Sequence, residues 1–232
     1  MADIGTDHGH LPTWLVASGQ VPHAIAIDDK AAPLSRARAR VVEQRVSVEV
    51  RLGWGCTPLR AGEAHSLTLA GIGGPLIARI LAGAPADIGC VVLQPNVGEE
   101  GLRRWLHEEG WAIDAEHLVH DRGRWFMTFR AVPGPTRQAT AVGPPDAAAL
   151  LWGEVEAHTD HDALARRLED DERRFRSVLA RSPGAGTAVG RDLGLVEEAR
   201  RRLGELRRGR DGHAPALASS PALPGPDAPH HP

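Results

Sequence analysis

Residues 2–9 read Ala2-Asp3-Ile4-Gly5-Thr6-Asp7-His8-Gly9, and this stretch decides how the rest of the chain is interpreted. A short apolar strand runs directly into a glycine-bearing turn, and a helix is predicted to open near Leu11. Glycines in such a turn let the backbone approach a ligand closely, and the helix N-terminus offers N–H groups to a polar or anionic group. The stretch is therefore typical of a cofactor loop in an α/β fold, although the GxGxxG spacing of dinucleotide enzymes is absent.

Short apolar runs alternate with helical stretches through residues 1–134, which predicts a mostly parallel sheet with crossover helices. The predicted strands are Ala2–Ile4, Ala24–Asp28, Val46–Leu52, Ser66–Ala70, Cys90–Gln94 and a closing hairpin of Ala112–Val119 and Arg124–Val132. The predicted helices are Leu11–Ser18, Pro33–Gln44, Pro75–Leu81 and a segment around Leu102–His107. Because residues 120–123 suit a tight reversal, the sheet is expected to end in an antiparallel pair.

The pattern changes after residues 133–145, which are rich in proline and glycine. Apolar residues then recur at near-helical spacing, which predicts two helices, Asp146–Arg181 and a second around Val196–Leu206. A short Gly/Pro-containing turn joins them, so we expect an α-helical hairpin. We divide the chain into a ligand-binding domain at 1–134, a helical domain at 135–210 and a disordered tail at 211–232.

The composition is that of an ordinary globular protein and excludes several function classes. Of 232 residues, 42% are hydrophobic and 25% are charged, and the net charge of −3 provides no global attraction to nucleic acid or membranes. Cys56 and Cys90 are too few for a disulfide framework or a cysteine-rich metal site, so we predict no metal and a cytoplasmic location. No apolar run approaches the ~20 residues of a spanning helix, and no signal peptide is recognisable, so we expect no membrane partner.

A second carboxylate supports a nucleoside cofactor. Asp28 ends the second predicted strand about 20 residues after Gly9, the offset expected of an acid that binds both ribose hydroxyls. Asp3 and Asp7 would repel a pyrophosphate, whereas they would attract a cofactor that bears an ammonium and a sulfonium. The pattern favours S-adenosylmethionine over NAD. The alternative role of Asp3 and Asp28 is to cap turns.

Several motifs follow one another in the first half of the chain: Ala2–Pro12 with its Asp-His pair, Ala24–Asp28, Val50–Gly53, Leu69–Gly74 with its Ala-Gly-x-Gly-Gly pattern, and Leu93–Asn96. Their order and spacing resemble those of the bacterial tRNA (adenine-N1)-methyltransferases that modify adenosine 22 of the D-arm. The resemblance covers about residues 1–132. Beyond them, a helical region stands where that family has a coiled-coil-like domain.

This resemblance implies a Rossmann-like class I methyltransferase fold with a seven-stranded sheet, S-adenosylmethionine as methyl donor and tRNA as partner. The residues it assigns to cofactor binding are Asp3, Gly5, Thr6, Gly9, Asp28, Gly53, Trp54, Ala70 and Gly71. Those expected to line the substrate cleft are Gly73, Gly74, Gln94, Pro95, Asn96 and Arg124. Asp7 is the first candidate catalytic residue and His8 the second, with a loop-fixing role as the alternative for His8.

Three features depart from the family pattern. The family has a leading helix and a full strand before the loop, whereas Met1 falls inside the strand here, so we expect the true start to lie upstream. Trp54 stands where the family has an acid near the adenine amino group, and it would have to stack on the adenine instead. His10 replaces an aromatic residue that follows the Asp-His pair in the family.

Methyl transfer to adenine N1 needs positioning rather than deprotonation, because N1 already carries a lone pair. A carboxylate near the ring would stabilise the positive charge that methylation leaves, and Asp7 is expected to supply it. An adenine extruded from a folded arm is usually held by aromatic stacking. The aromatic candidates are Trp14, Trp54, Trp125 and Phe126, and a basic cluster for RNA is predicted from Arg103, Arg104, Arg122 and Arg124.

Three functions are compatible with these features. The preferred one is methylation of tRNA adenine at N1 by a monomer. A methyltransferase of the same fold that acts on another RNA or on a small substrate is the second, because fold alone does not determine substrate. A non-catalytic RNA- or protein-binding relic, which no longer holds cofactor, is the third.

Overall fold

The computed structural model describes residues 1–134, 145–182 and 186–211. Seven strands form one sheet, namely β1 (Ala2–Ile4), β2 (Ala24–Asp28), β3 (Val48–Leu52), β4 (Ser66–Ile72), β5 (Cys90–Pro95), β6 (Trp111–Asp121) and β7 (Arg124–Pro133). Their spatial order is β3-β2-β1-β4-β5-β7-β6. The first five strands run parallel, and β7 pairs antiparallel with both β5 and β6. The predicted Rossmann-like fold is therefore confirmed.

Helices connect β1 to β2, β2 to β3 and β4 to β5, whereas residues 53–65 between β3 and β4 contain no helix, and further helices follow β5 and the hairpin. The helices are α1 (His10–Ala17), α2 (Ala31–Gln44), α3 (Gly74–Leu81), α4 (Glu99–Glu108), α5 (Ala147–Trp152), a 3-10 turn (Val155–Ala157), α6 (His161–Arg181) and α7 (Gly186–Asp211). Strands β1 and β2 are buried along their whole length, as expected of apolar strands at the centre of a sheet that helices cover on both faces. None of the helices in the described ranges has the length and apolar composition needed to cross a membrane.

The single predicted helix Asp146–Arg181 is wrong, because the chain breaks at Gly153. This glycine has a φ of 87°, and a Cβ placed on it would lie 2.3 Å from an oxygen of the Glu116 carboxylate. The helix before the break and the long helix after it each begin at a capping aspartate, since Asp146 accepts from the Ala149 N–H and Asp160 from the Ala163 N–H. The break therefore follows from a close approach between the chain and a buried carboxylate.

The turn between β6 and β7 is shorter than predicted. Asp121 pairs with Arg124, so only Arg122 and Gly123 form the turn, with φ values of 47° and 76°. Two consecutive left-handed residues are characteristic of a type I′ turn, whose twist matches that of the flanking strands. The two strands therefore extend to the turn itself.

The C-terminal helices pack on the antiparallel end of the sheet. Leu168 of α6 and Val196 of α7 belong to the same buried apolar cluster as Phe129 of β7. Polar contacts reinforce this packing, because Trp125 donates to the Asp170 carboxylate at 2.8 Å. The proposed connector residues 135–144 and residues 212–232 of the predicted tail lie outside the described residues.

Candidate active site

The loop after β1 folds back over the end of β2. The backbone N–H groups of Gly5 and Thr6 both donate to the Ile27 carbonyl, at 2.8 and 3.0 Å. Gly5, Asp7 and Gly9 have φ values of 75°, 52° and 69°, a left-handed conformation that glycine adopts without strain and aspartate tolerates. This geometry brings the predicted loop to the carboxyl edge of the sheet, where ligands of α/β folds bind.

Asp28 holds this loop through both of its carboxylate oxygens. Oδ2 accepts from the Asp7 N–H at 2.9 Å, and Oδ1 accepts from the Lys30 N–H at 3.0 Å. The turn-capping role considered for Asp28 is therefore present in the structure. Each oxygen of an ionised carboxylate has a second lone pair, so capping is compatible with binding of ligand hydroxyls.

Asp3 lies beneath the loop and is 5% exposed. Its Oδ2 accepts from the Thr6 hydroxyl at 2.7 Å. Burial raises the pKa of Asp3 to about 6, the Thr6 hydrogen bond opposes that shift, and the negative charge of Asp28 adds to it. A cationic ligand group would stabilise the ionised form of Asp3, because it would supply the charge partner that this carboxylate lacks within the loop.

The end of β4 lies next to the loop after β1 at the same edge of the sheet, because β4 pairs in parallel with β1. The register of β4 against β5 shifts between Ala70 and Ile72, which leaves Gly71 as a bulge with a φ of 75°. The Gly71 N–H donates to Gln94 Oε1 at 2.9 Å, and the Gly71 carbonyl accepts from Asn96 Nδ2 at 2.7 Å. Gln94 and Asn96 therefore position this bulge through its backbone.

Two glycines, one in the loop after β1 and one at the end of β4, have open space beside them. A Cβ placed on Gly5 or Gly71 would meet no atom within 4 Å, whereas one on Gly9 would lie 3.0 Å from the Ala37 Cβ. Gly9 therefore serves packing between the loop and α2. Gly5 and Gly71 border open space that a ligand can enter.

The loop after β3 carries an exposed aromatic ring. The Gly53 N–H donates to the Asp28 carbonyl at 2.9 Å, which ties this loop to the end of β2. Trp54 is 43% exposed, and the Arg79 guanidinium lies 4.9 Å from its ring centroid. A half-exposed indole at this edge can stack on a planar ligand group.

Comparisons with known proteins agree with this geometry. The family model described as a methyltransferase domain matches residues 1–129, more than half of the chain. The chain belongs to the methyltransferase domain family. It is 35% identical over 158 residues to the tRNA (adenine(22)-N(1))-methyltransferase of Bacillus subtilis, and the match covers 66% of this chain and 66% of that relative, just under two thirds of its length.

Solved structures show the same architecture over more of the chain. A putative tRNA (m1A22) methyltransferase of Streptococcus pneumoniae is similar with a TM-score of 0.74 and 25% identity, and the similarity covers 85% of this chain and 90% of that one. The same Streptococcus pneumoniae protein in complex with S-adenosyl-L-methionine gives a TM-score of 0.71 at 25% identity, with the same coverage. These similarities extend beyond residues 1–129 into the helical region.

His8 of this methyltransferase domain is held between two charged side chains. Its Nδ1 lies 3.0 Å from Asp7 Oδ2, and its Nε2 lies 3.0 Å from Nη1 of Arg36. Arginine can only donate, so we assign Nε2 as the acceptor and place the ring proton on Nδ1, facing Asp7. This arrangement occupies the lone pair of the ring and favours the loop-fixing role over proton removal.

The predicted substrate residues divide into two groups. Gly73, Gln94 and Asn96 lie at the carboxyl edge of β4 and β5, while Gly74 and Pro95 are buried behind it. A Cβ on Gly74 would lie 2.5 Å from the Gly98 carbonyl oxygen, so this glycine permits close packing of α3 against the start of α4. Contact of these residues with substrate stays a prediction.

The predicted basic cluster is only partly assembled. Arg103 is 3% exposed and pairs with Glu116 at 2.7 Å, so it is unavailable to RNA. Arg124 lies at the outer end of the β6–β7 hairpin, 5.3 Å from the Phe126 ring. Because β7 runs antiparallel to β5, this end of the hairpin projects past the carboxyl edge where the loops meet.

Sequence reasoning missed two residues that contact the loop. Arg36 and Arg40 lie one turn apart on α2 and reach His8 and His10. Their i,i+4 spacing marks a common helix face. Nothing in the local sequence identifies the loop as the element that this face meets.

Proposed function

We propose that this protein uses S-adenosylmethionine to methylate N1 of adenosine 22 in the D-arm of tRNA. The observation that carries the choice of substrate is the 35% identity to the Bacillus subtilis enzyme over 158 residues. The choice of methyl donor is supported separately by the loop geometry and by the S-adenosyl-L-methionine complex of the similar Streptococcus pneumoniae protein.

The residues at the carboxyl edge fit this donor. Asp28 would bind the ribose hydroxyls, Asp3 would attract the cationic part, and Trp54 would stack on the adenine. Open space at Gly5 and Gly71 leaves room for the ligand against the backbone. When bound, the donor supplies an electrophilic methyl group on a sulfonium.

The substrate adenine needs no base, because its N1 lone pair forms the new bond to carbon while the electrons of the carbon–sulfur bond remain on sulfur. Positive charge then appears on the adenine ring. The Asp7 carboxylate would stabilise that charge, since its side chain is 64% exposed at the loop. His8 donates to Asp7 from Nδ1 and would keep the carboxylate oriented, which makes His8 a positioning residue.

The direct test uses two tRNA transcripts that differ only at position 22, one with adenosine and one with guanosine. We expect methyl incorporation from labelled S-adenosylmethionine into the adenosine transcript alone, with 1-methyladenosine identified by mass spectrometry of nucleosides. Incorporation that ignores position 22, or that requires another acceptor, would favour a methyltransferase with a different substrate. Failure to bind the methyl donor in calorimetry would favour the non-catalytic relic.

We also propose that the chain acts as a monomer in the cytoplasm, where its proposed tRNA substrate is found. A further proposal concerns the domains: residues 135–210 form a helical domain beside the methyltransferase domain at 1–134. The antiparallel pair of α6 and α7 supports this division. Light scattering coupled to size exclusion tests the monomer. A mass of twice 24.8 kDa would contradict it.

A further inference from the structure

Two arginines of α2 face the loop that carries the candidate catalytic residues. Arg36 Nη1 lies 3.0 Å from His8 Nε2, and Arg40 Nη2 lies 3.2 Å from His10 Nε2. Arg40 Nε also donates to the His8 carbonyl at 3.3 Å. The two imidazole rings stand edge to face with their centroids 6.1 Å apart. We call Arg36, Arg40, His8 and His10 the loop cluster.

The guanidinium groups of the loop cluster lack carboxylate partners within the described part of the chain. Ion pairs join many other arginines to acids, as between Arg176 and Glu172 or between Arg201 and Glu198. Among the described residues, the hydrogen bonds of Arg36 and Arg40 go to histidine rings and to one carbonyl. A guanidinium has five N–H donors, so most donors of both groups remain available to an oxyanion.

The loop cluster is accessible and lies beside the site. Arg36 and His10 are exposed, and Arg40 is half-buried. The chain of contacts from Arg36 through His8 to Asp7 has two links of 3.0 Å each. Trp14 follows His10 by one turn of α1 and is 55% exposed, so an exposed aromatic side chain lies on the same face of that helix as His10. Basic groups next to exposed aromatic rings suit a nucleic acid strand.

We propose that Arg36 and Arg40, with His10, bind backbone phosphate of the RNA strand next to the adenosine that is methylated. This inference rests on the proposed function and adds a named contact surface to it. Phosphate contacts from arginine fix the register of a nucleic acid without reading its sequence. A contact beside Asp7 would therefore present the target nucleotide to the loop.

The test measures binding of a fluorescently labelled tRNA transcript with adenosine at position 22, by anisotropy over a series of NaCl concentrations. The variants are R36Q, R40Q and the double variant R36Q/R40Q, with R36K/R40K retaining the charge. The matched control is R38Q, because Arg38 is exposed on the same helix but points away from the loop face. Calorimetry with S-adenosylmethionine runs in parallel on every variant.

We expect R36Q/R40Q to bind the transcript at least about 10-fold more weakly than the unmodified chain. The slope of log K against log[NaCl] should fall by about 1 to 2, since each phosphate contact contributes about 0.9. R36K/R40K should keep most of that slope, and R38Q should match the unmodified chain within about twofold in affinity for both RNA and S-adenosylmethionine. In R36Q/R40Q, affinity for S-adenosylmethionine should change far less than affinity for RNA.

Three results would overturn the inference. Unchanged RNA affinity and slope in R36Q/R40Q would show that these arginines do not contact phosphate. If the unmodified chain still methylates tRNA, the proposed function is unaffected by that result. Equal loss of RNA binding in the lysine and glutamine variants, together with lost S-adenosylmethionine binding, would show that the arginines only support the loop. Failure of the unmodified chain to bind or methylate tRNA would overturn both proposals.

Discussion

The backbone N–H of Asp7 donates to Oδ2 of Asp28 across 2.9 Å, and this bond joins the loop after β1 to the end of β2. The candidate catalytic residue and the predicted ribose-binding acid are thereby parts of one structure. Gly53 extends the link to the loop after β3, because its N–H donates to the Asp28 carbonyl. A ligand held by Asp28 would therefore lie between these two loops.

Asp28→Asn is expected to weaken S-adenosylmethionine binding about 10- to 100-fold. The amide keeps an oxygen that can accept one backbone N–H, but it loses the charge that strengthens hydrogen bonds from ribose hydroxyls. Calorimetry measures the effect. Asp29→Asn is the matched control, since Asp29 is the exposed neighbour. Binding by Asp28→Asn within about twofold of the unmodified chain would contradict a ribose-binding role.

Asp7→Asn is expected to lower kcat for tRNA methylation by roughly 10- to 100-fold, a larger effect than its effect on S-adenosylmethionine affinity. Asparagine tolerates the left-handed φ of 52° at this position, so the loop keeps its conformation. Single-turnover methylation separates the chemical step from binding. A variant with unchanged single-turnover rate would show that Asp7 does not stabilise charge on the adenine.

Trp54→Ala is expected to weaken S-adenosylmethionine binding by about 1 to 3 kcal/mol, the usual contribution of one aromatic ring stacked on a base. Trp54→Phe should retain much of that affinity because a ring remains. Trp14→Ala serves as the control, since Trp14 is also exposed but lies on α1. Equal affinity of Trp54→Ala and the unmodified chain would exclude stacking as the substitute for the missing acid.

The pH dependence of stability should reveal the buried Asp3. Burial raises its pKa to about 6, so the folded protein binds this proton more tightly than the unfolded chain, whose value is near 3.8. The group therefore stabilises the fold below about pH 4, and this stabilisation, about 3 kcal/mol, is lost as the pH rises through about 6. Urea unfolding at pH 4 and pH 7 measures it.

Asp3→Asn is the comparison for that experiment. Its free energy of unfolding should change less between the two pH values, because asparagine does not titrate. An identical pH dependence in both proteins would show that Asp3 ionises normally in the fold.

Arg103→Met is expected to destabilise the fold by about 3–5 kcal/mol, because it leaves the 1%-exposed Glu116 carboxylate buried without its partner. The same change releases the Leu150 carbonyl, which accepts from Arg103 at 2.9 Å. Thermal unfolding should show a Tm lower by about 6–20 °C. Arg104→Met is the control, since Arg104 is an exposed partner of Glu100 and should shift the Tm by only about 1–2 °C.

The sequence by itself determined the order of strands and helices in the methyltransferase domain. Apolar runs such as Ala24–Asp28 are continuous because central parallel strands are buried on both faces, and this pattern is readable without any contact map. Asp28 could be placed beside the loop after β1 for the same reason, since parallel strands end at one edge of the sheet.

Only the tertiary structure decided features that depend on partners far along the chain. In the sequence Arg103 resembles any surface cation, whereas in the structure it is buried and pairs with Glu116. The pattern over 146–181 predicts one continuous helix, but the chain breaks at Gly153, where it closely approaches the same Glu116 carboxylate. The contacts of Arg36 and Arg40 with His8 and His10 form only because α2 packs beside the loop after β1. Hydrophobic periodicity records which face of an element is buried, but the charge and shape that this face meets are set by long-range packing.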